Sequence, residues 1–216
     1  MKTAALLVLL ASTTASADDY AVDIGTHVRW FGDTSGAIIS EDTLSGMRMT
    51  IGRSLTDTSF RNRDVDIGLF GRWVFATTTG TMFGDLDTSL HQHLLGGGAR
   101  ADMPLRSWFA VTGQAELGMA RSSLTVTRDE MTPVDDHHWA PYAAASLGGD
   151  LRLFHGKHVT ASLGVDVGYL VTVPVELHAL PGDRPDADLS IETAFAGIGK
   201  LDSRGWTYSM SLRMSF

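Results

Sequence analysis

No cysteine occurs in the 216 residues, so disulfides contribute nothing and the fold must hold by packing and hydrogen bonding alone. No segment approaches eighteen consecutive apolar residues, which excludes a membrane-spanning helix. Basic residues are scarce, 17 Lys and Arg against 25 Asp and Glu, and they form no cluster that could hold a phosphate backbone. Nucleic acid is therefore not an expected partner. Proline is also rare, at six, whereas 23 glycines are spread through alternating segments. That balance suits strands and turns better than helices.

The first residues, MKTAALLVLLASTTASA, carry one basic residue (Lys2), an apolar stretch from Ala4 to Leu10, and Ala15-Ser16-Ala17 as an A-x-A cleavage site. This is the layout of a secretory signal peptide, expected to be cut after Ala17; a retained N-terminal anchor is the alternative. Residues 18–216 then make one domain, long enough for a substantial core, with a formal charge of −9 once Lys2 is lost.

Eight segments of that domain alternate bulky apolar with small or polar residues, the period-two mark of a strand with one apolar face. They are Tyr20 to Phe31, Met47 to Ser54, Asp64 to Phe75, His93 to Met103, Phe109 to Met119, Trp139 to Leu153, Val159 to Val173 and Trp206 to Phe216. The connections alternate in length: 32–46, 76–90, 120–138 and 174–205 are long, those near 55–62, 104–107 and 155–158 short. Long loops at one end and short turns at the other predict an all-β, antiparallel up-and-down barrel of eight strands. Strands of about nine to eleven residues also match a tilted crossing of a bilayer. Leu189, Ile191, Thr193 and Phe195 alternate weakly, so 174–205 is expected to extend a hairpin above the barrel, or alternatively to add a strand pair, giving ten.

A soluble barrel with an apolar core alternates in the same way, so the direction of the apolar face needs separate arguments. The polar face is rich in Gly, Ala and Ser with scattered charges, which suits a narrow lumen better than a solvated exterior. Trp30, Trp73, Trp139 and Trp206 all fall on the apolar face at strand ends joined to long loops, as an aromatic girdle at headgroup level requires. A sheet with an outward apolar face must close, because unpaired backbone groups in lipid cost several kcal/mol each. The expectation is a transmembrane barrel.

With the signal peptide and the closing alternation WTYSMSLRMSF, which ends on Phe216, the chain resembles the small eight-stranded outer-membrane barrels, the OmpA/OmpX-like group, over residues 18–216. The resemblance implies the outer membrane of a Gram-negative bacterium, contact with its lipid and lipopolysaccharide, a monomer, and a terminal strand read through Phe216 by the barrel-assembly machinery. Ser211, where that assembly signal usually has glycine, and Met214, where an aromatic or aliphatic residue is common, are mild departures. The pattern carries no catalytic motif.

An eight-stranded barrel is only wide enough to be filled by side chains, and charges inside it must pair. The predicted lumen network comprises Asp23, Arg29, Asp64, Asp66, Arg72, Arg100, Asp102, Glu116, Asp150, Arg152, Asp166 and Arg213, with Arg48 on the same face. It reads as a plug and not as a conduction path. Arg213 and Asp23 are expected to meet where strand eight closes on strand one. The acidic excess lies in the long loops: three for 32–46, two each for 76–90 and 120–138, three for 174–205. Such loops are the variable, functional part of a rigid scaffold, so the leading reading is a structural or interaction barrel.

Two other classes stay open. HQH (His91, His93) and VDDHHW (Asp135, Asp136, His137, His138) could serve a rim enzyme acting on lipid A or peptide, since a His oriented by a carboxylate can polarise a water or serine. Loss of activity on His138→Ala or His93→Ala would mark it. A narrow channel or small-ligand carrier would instead lose its conductance when the lumen is filled. The expectation is no enzyme, no catalytic residue, no cofactor and no metal, although four ligands in two loops could make a zinc site.

Overall fold

In the computed structural model the described residues are 20–31, 42–60, 63–82, 86–127, 134–178 and 197–216. The segment read as a signal peptide, and most of the loop 174–205, lie outside them. Eight strands form one closed antiparallel barrel: β1 (Tyr20–Phe31), β2 (Thr43–Phe60), β3 (Arg63–Met82), β4 (Leu86–Arg106), β5 (Phe109–Thr127), β6 (Val134–His155), β7 (Thr160–Thr172) and β10 (Gly205–Ser215). Neighbours in sequence are neighbours in space, and β10 closes the ring between β7 and β1. Two short strands, β8 (Val175–His178) and β9 (Gly197–Leu201), pair with each other in a separate two-stranded sheet. The pair is hydrogen-bonded to itself and not to the barrel, so the barrel has eight strands and not the alternative ten. Leu189, Ile191, Thr193 and Phe195, whose alternation suggested a hairpin, lie outside the described residues.

Closure follows from backbone chemistry, because a ring leaves no unpaired edge. Its geometry can be read from the registers. From Thr26, the rungs run through Met47, Phe75, His93 and Arg121 to Trp139 on β6. In the other direction they run through Met210 and Val165 to Gly149 on the same strand. The two paths meet β6 ten residues apart, the stagger that tilts the strands of a small barrel.

The apolar face points out. Ile24, Met49, Leu69, Leu95, Leu117, Leu147, Val167, Met210 and Leu212 are exposed, with Leu117 at 70% and Leu147 at 72%. The opposite face of the same strands is buried and polar: Asp23, Arg48, Thr50, Gln92, Glu116, Asp166, Ser209 and Ser211. This inversion of the usual globular pattern is the main physical fact about the fold.

The strands are longer than the alternation predicted. β3, β4, β5 and β6 run to Met82, from Leu86, to Thr127 and from Val134, so much of 76–90 and 120–138 continues the ladder. The signal ends early because the outward face turns polar there, as at Thr77 and Thr79, while the hydrogen bonding carries on. The barrel ladder has three irregularities in register among the described residues, at Ser54/Thr56, Pro104/Arg106 and Arg152/Phe154, and all lie at the short-turn end. Bulges at a barrel rim bend the strands into the turns.

Candidate functional site

Inside, the side chains stack in layers from the short-turn end upward. A vestibule of about 520 Å³ opens at that end, lined by Tyr20, Arg53, Phe70 and Phe109 among others. Its floor is a five-member charge cluster. Arg100 binds Asp102 at 2.7 Å and Asp150 at 2.5 Å, Arg213 reaches the same two acids at 3.0 and 3.3 Å, and Asp23 lies 3.7 Å from each arginine. Asp23 and Arg213 are direct cross-strand partners on the closing rung. Three carboxylates share two guanidiniums here, so each arginine fork spans more than one acid.

Above the floor, Arg48 of β2 crosses the lumen to β7, giving Nη1 to both oxygens of Asp166 at 3.0 and 2.7 Å and Nη2 to Ser211 Oγ at 3.0 Å. Arg72 pairs with Glu116 at 2.5 Å and also donates to Gln114. Tyr142 donates its hydroxyl to the other oxygen of Glu116 at 2.9 Å. The ring of Tyr142 lies across Gly118 and Gly96, its successive neighbours on the same rung. A Cβ on Gly96 would come within 2.2 Å of the Tyr142 hydroxyl, and one on Gly118 within 2.6 Å of the ring. These glycines are spaces for an aromatic lid. Gly118→Ala is expected to push Tyr142 off Glu116 and cost about 1–3 kcal/mol by overpacking. Urea unfolding in lipid vesicles measures it, and an unchanged midpoint would refute the close approach.

Two apolar layers follow. Val74, Leu94, Ala120 and Leu170 close around the Tyr142 ring, and nearer the long loops Phe31, Leu44, Ala76, Leu90, Leu124 and Leu201 form a second cluster. Leu201 belongs to β9, so the separate hairpin contributes to the upper plug. Near the two lies Arg29, 1% exposed, whose Nη2 donates to Gln92 Oε1. Gln92 in turn donates to Ser122 at 2.8 Å and Ser203 at 3.2 Å. Among the described residues no carboxylate forms an ion pair with Arg29; its guanidinium lies 5.4 Å from the Phe31 ring.

Of the predicted network, Asp23, Arg29, Arg72, Arg100, Asp102, Glu116, Asp150, Asp166 and Arg213 face the lumen. Asp66 and Arg152 line the vestibule, and Asp64 lies beyond them on β3. All three are exposed at the short-turn end, where β3 and β6 run past the packed interior, and Arg152 donates to the Ser107 carbonyl at 3.1 Å. Inward alternation at a rim points into water, which no sequence count reveals. Gln92, Gln114, Ser122 and the leucine plug were absent from the predicted set. Gln92 was legible as the residue between His91 and His93; Leu44, Leu90 and Leu124 were hidden in segments read as loops.

The four girdle tryptophans all face outward, and Trp30 and Trp206 are direct partners on the last rungs of β1 and β10. Each packs edge-on against a tyrosine: Trp30 on Tyr208 at 4.5 Å, Trp206 on Tyr169 at 5.4 Å. A fifth, Trp108, is exposed in the turn after β4, beside Phe109 at 5.8 Å. With Phe154 and Phe216 exposed at the same end, it supplies an aromatic group at the opposite rim that was not anticipated.

Among the acid–base candidates, the structure joins Asp136 and His138, with His138 Nε2 3.0 Å from Asp136 Oδ2 at the long-loop rim. His91 and His93 stand on the outer wall, His91 stacked on Phe75 at 6.1 Å and His93 on Trp73 at 6.2 Å, so they do not converge with His138. No group of three or more His, Asp or Glu is placed to hold a metal among the described residues. At the same rim Arg204 grips Asp202 with two nitrogens, and these hydrogen bonds hold the carboxyl below the usual range.

A closed eight-stranded antiparallel barrel, apolar outside and filled with charged and polar side chains inside, is the architecture of the small outer-membrane β-barrels. The chain is similar in structure to Ail, the attachment invasion locus protein of Yersinia pestis, solved in complex with the heparin analogue sucrose octasulfate: 10% identity, 92% of this chain and 98% of that one covered, TM-score 0.50. The outer membrane protease OmpT from Escherichia coli aligns at 9% identity over 95% and 99% of the two chains, TM-score 0.48. Neisserial surface protein A aligns at 12% identity over 91% and 94%, TM-score 0.44. At such identities the first likeness speaks for the fold alone, and the other two add no argument. No protein-family model and no curated protein matches the sequence.

Proposed function

We propose that the chain is an integral outer-membrane protein of a Gram-negative bacterium, exported by the segment 1–17 and assembled through its terminal strand. It acts as a monomeric structural or interaction barrel whose acidic long loops make the contacts at the cell surface. One observation carries this reading: a continuous outward apolar face around an interior of buried ion pairs, an arrangement favourable in lipid and costly in water. The two apolar layers above the charged lumen support a plug in preference to a conducting path.

The test is heat-modifiable gel mobility of the membrane fraction. The folded protein is expected in the outer-membrane fraction, migrating differently in unheated and heated samples. Recovery as a soluble periplasmic protein would reject the reading outright. A second reading, a rim hydrolase, is favoured only by the 3.0 Å contact of His138 with Asp136. It requires activity on lipid A or peptide that His138→Ala abolishes.

A further inference from the structure

We propose that the vestibule at the short-turn end of the barrel binds a short extended peptide, its free ammonium on Asp23 at the floor and its carboxylate on Arg53 and Arg152 at the mouth. The inference rests on the location proposed above only for the compartment that supplies the peptide; binding itself is a property of the folded barrel.

The space suits a small ligand. At about 520 Å³ it falls in the range of ligand pockets, and the charge cluster at its floor leaves the short-turn end as the entrance. Its wall mixes the apolar Ala21 and Phe70 with the hydroxyls of Thr50, Ser162 and Ser215. Such a wall can pack against small side chains and still offer partners to peptide groups.

Charge is sorted by depth. Four aspartates and four arginines line the vestibule. At the floor Asp23, Asp102 and Asp150 face Arg100 and Arg213, three acids against two bases, so one negative charge is left over. At the mouth Arg53 and Arg152 stand with Asp66, two bases against one acid, and Asp66 and Arg152 are exposed. A simple amine would neutralise only the floor, and a simple acid only the mouth. A zwitterion with its ammonium inward and its carboxylate outward satisfies both ends. The mouth arginines are also positioned: Arg53 lies 5.3 Å from the Tyr20 ring, and Arg152 Nη1 donates to the Ser107 carbonyl.

Asp23 marks where the ammonium goes. It is 5% exposed, yet its Oδ1 accepts no hydrogen bond; Arg213 Nε, 3.7 Å away, likewise donates none. The other carboxylate oxygen is 3.7 Å from Arg100 Nη1. A buried carboxylate oxygen normally has a hydrogen-bond partner, and an ammonium brings three donors. The length fits as well. Asp23 is three residues along β1 from Tyr20, the rung partner of Arg53, which is about 10 Å of strand. Three extended peptide residues also span about 10 Å.

Isothermal titration calorimetry of the folded barrel in detergent tests the site with trialanine, trialanine amide and N-acetyl-trialanine. Trialanine should bind most tightly, the amide about tenfold more weakly and the N-acetyl form about a hundredfold more weakly. Asp23→Asn leaves two acids facing two arginines at the floor. It should keep heat-modifiable mobility, which certifies a folded barrel, and lose the preference for a free ammonium. Arg53→Gln with Arg152→Gln should bind trialanine and its amide alike. Ala110→Trp, which fills the vestibule without changing a charge, should bind none of the three. No binding of trialanine by wild type, equal binding of the N-acetyl form, or undiminished preference in folded Asp23→Asn overturns the site. The wild-type series requires no variant to fold. A barrel found in the outer membrane that binds none of the probes defeats this inference alone; a soluble periplasmic protein that binds trialanine defeats the location alone.

Discussion

Asp166→Ala is expected to destabilise the barrel by about 3–5 kcal/mol, the cost of leaving a buried cation without its partner. Arg48 is 2% exposed and has two kinds of acceptor, the Asp166 carboxylate and the Ser211 hydroxyl. Removing the carboxylate leaves a guanidinium with one neutral bond in a filled lumen. Asp166→Asn should fall between the two, because the amide keeps the shape and loses the charge. Replacing both partners, Arg48→Met with Asp166→Val, should recover most of the loss, since nothing charged then remains to be desolvated. Urea unfolding in vesicles, followed by tryptophan fluorescence, gives the four values. An Asp166→Ala barrel within about 0.5 kcal/mol of wild type would mean that water already reaches Arg48.

The second large effect lies on the other face. Leu147→Arg should cost about 2–4 kcal/mol in a bilayer, the depth-dependent charge for arginine near the midplane of a barrel's lipid face. Leu147 is among the most exposed apolar residues and is far along β6 from both rims. Thr79→Arg, outward but beyond the belt on β3, should change stability by no more than about 0.5 kcal/mol. If both substitutions are equally harmless, the apolar face meets water and the membrane reading fails. The pair of substitutions thus separates a lipid-facing wall from a soluble barrel, which period-two alternation alone cannot do.

The sequence told most where its pattern is local. In Trp206 to Phe216 each side chain's face was legible, and the structure puts Met210 and Leu212 out and Ser209 and Ser211 in. It told less where the pattern faded. The leucine plug lies above the belt, where β4 reads Leu90-His91-Gln92-His93-Leu94 and apolar residues point inward while imidazoles point out. The outward-apolar rule is reversed there, so the strand reads as starting only at His93 and the residues up to Leu90 read as a loop. Asp64, Asp66 and Arg152 show a related limit of local pattern: they are exposed at the short-turn end and not packed in the interior. Facing was read correctly as inward, but depth along the barrel decides whether inward means buried.

From the sequence by itself come the two faces of each strand, the number of barrel strands, and the outward placement of Trp30, Trp73, Trp139 and Trp206. Each depends only on period-two geometry and on residues close in the chain. Only the tertiary structure decided which charges meet. Arg48 and Asp166 are 118 residues apart and sit on strands that do not touch. They face each other because closure with a stagger of ten residues brings those two depths together across the lumen.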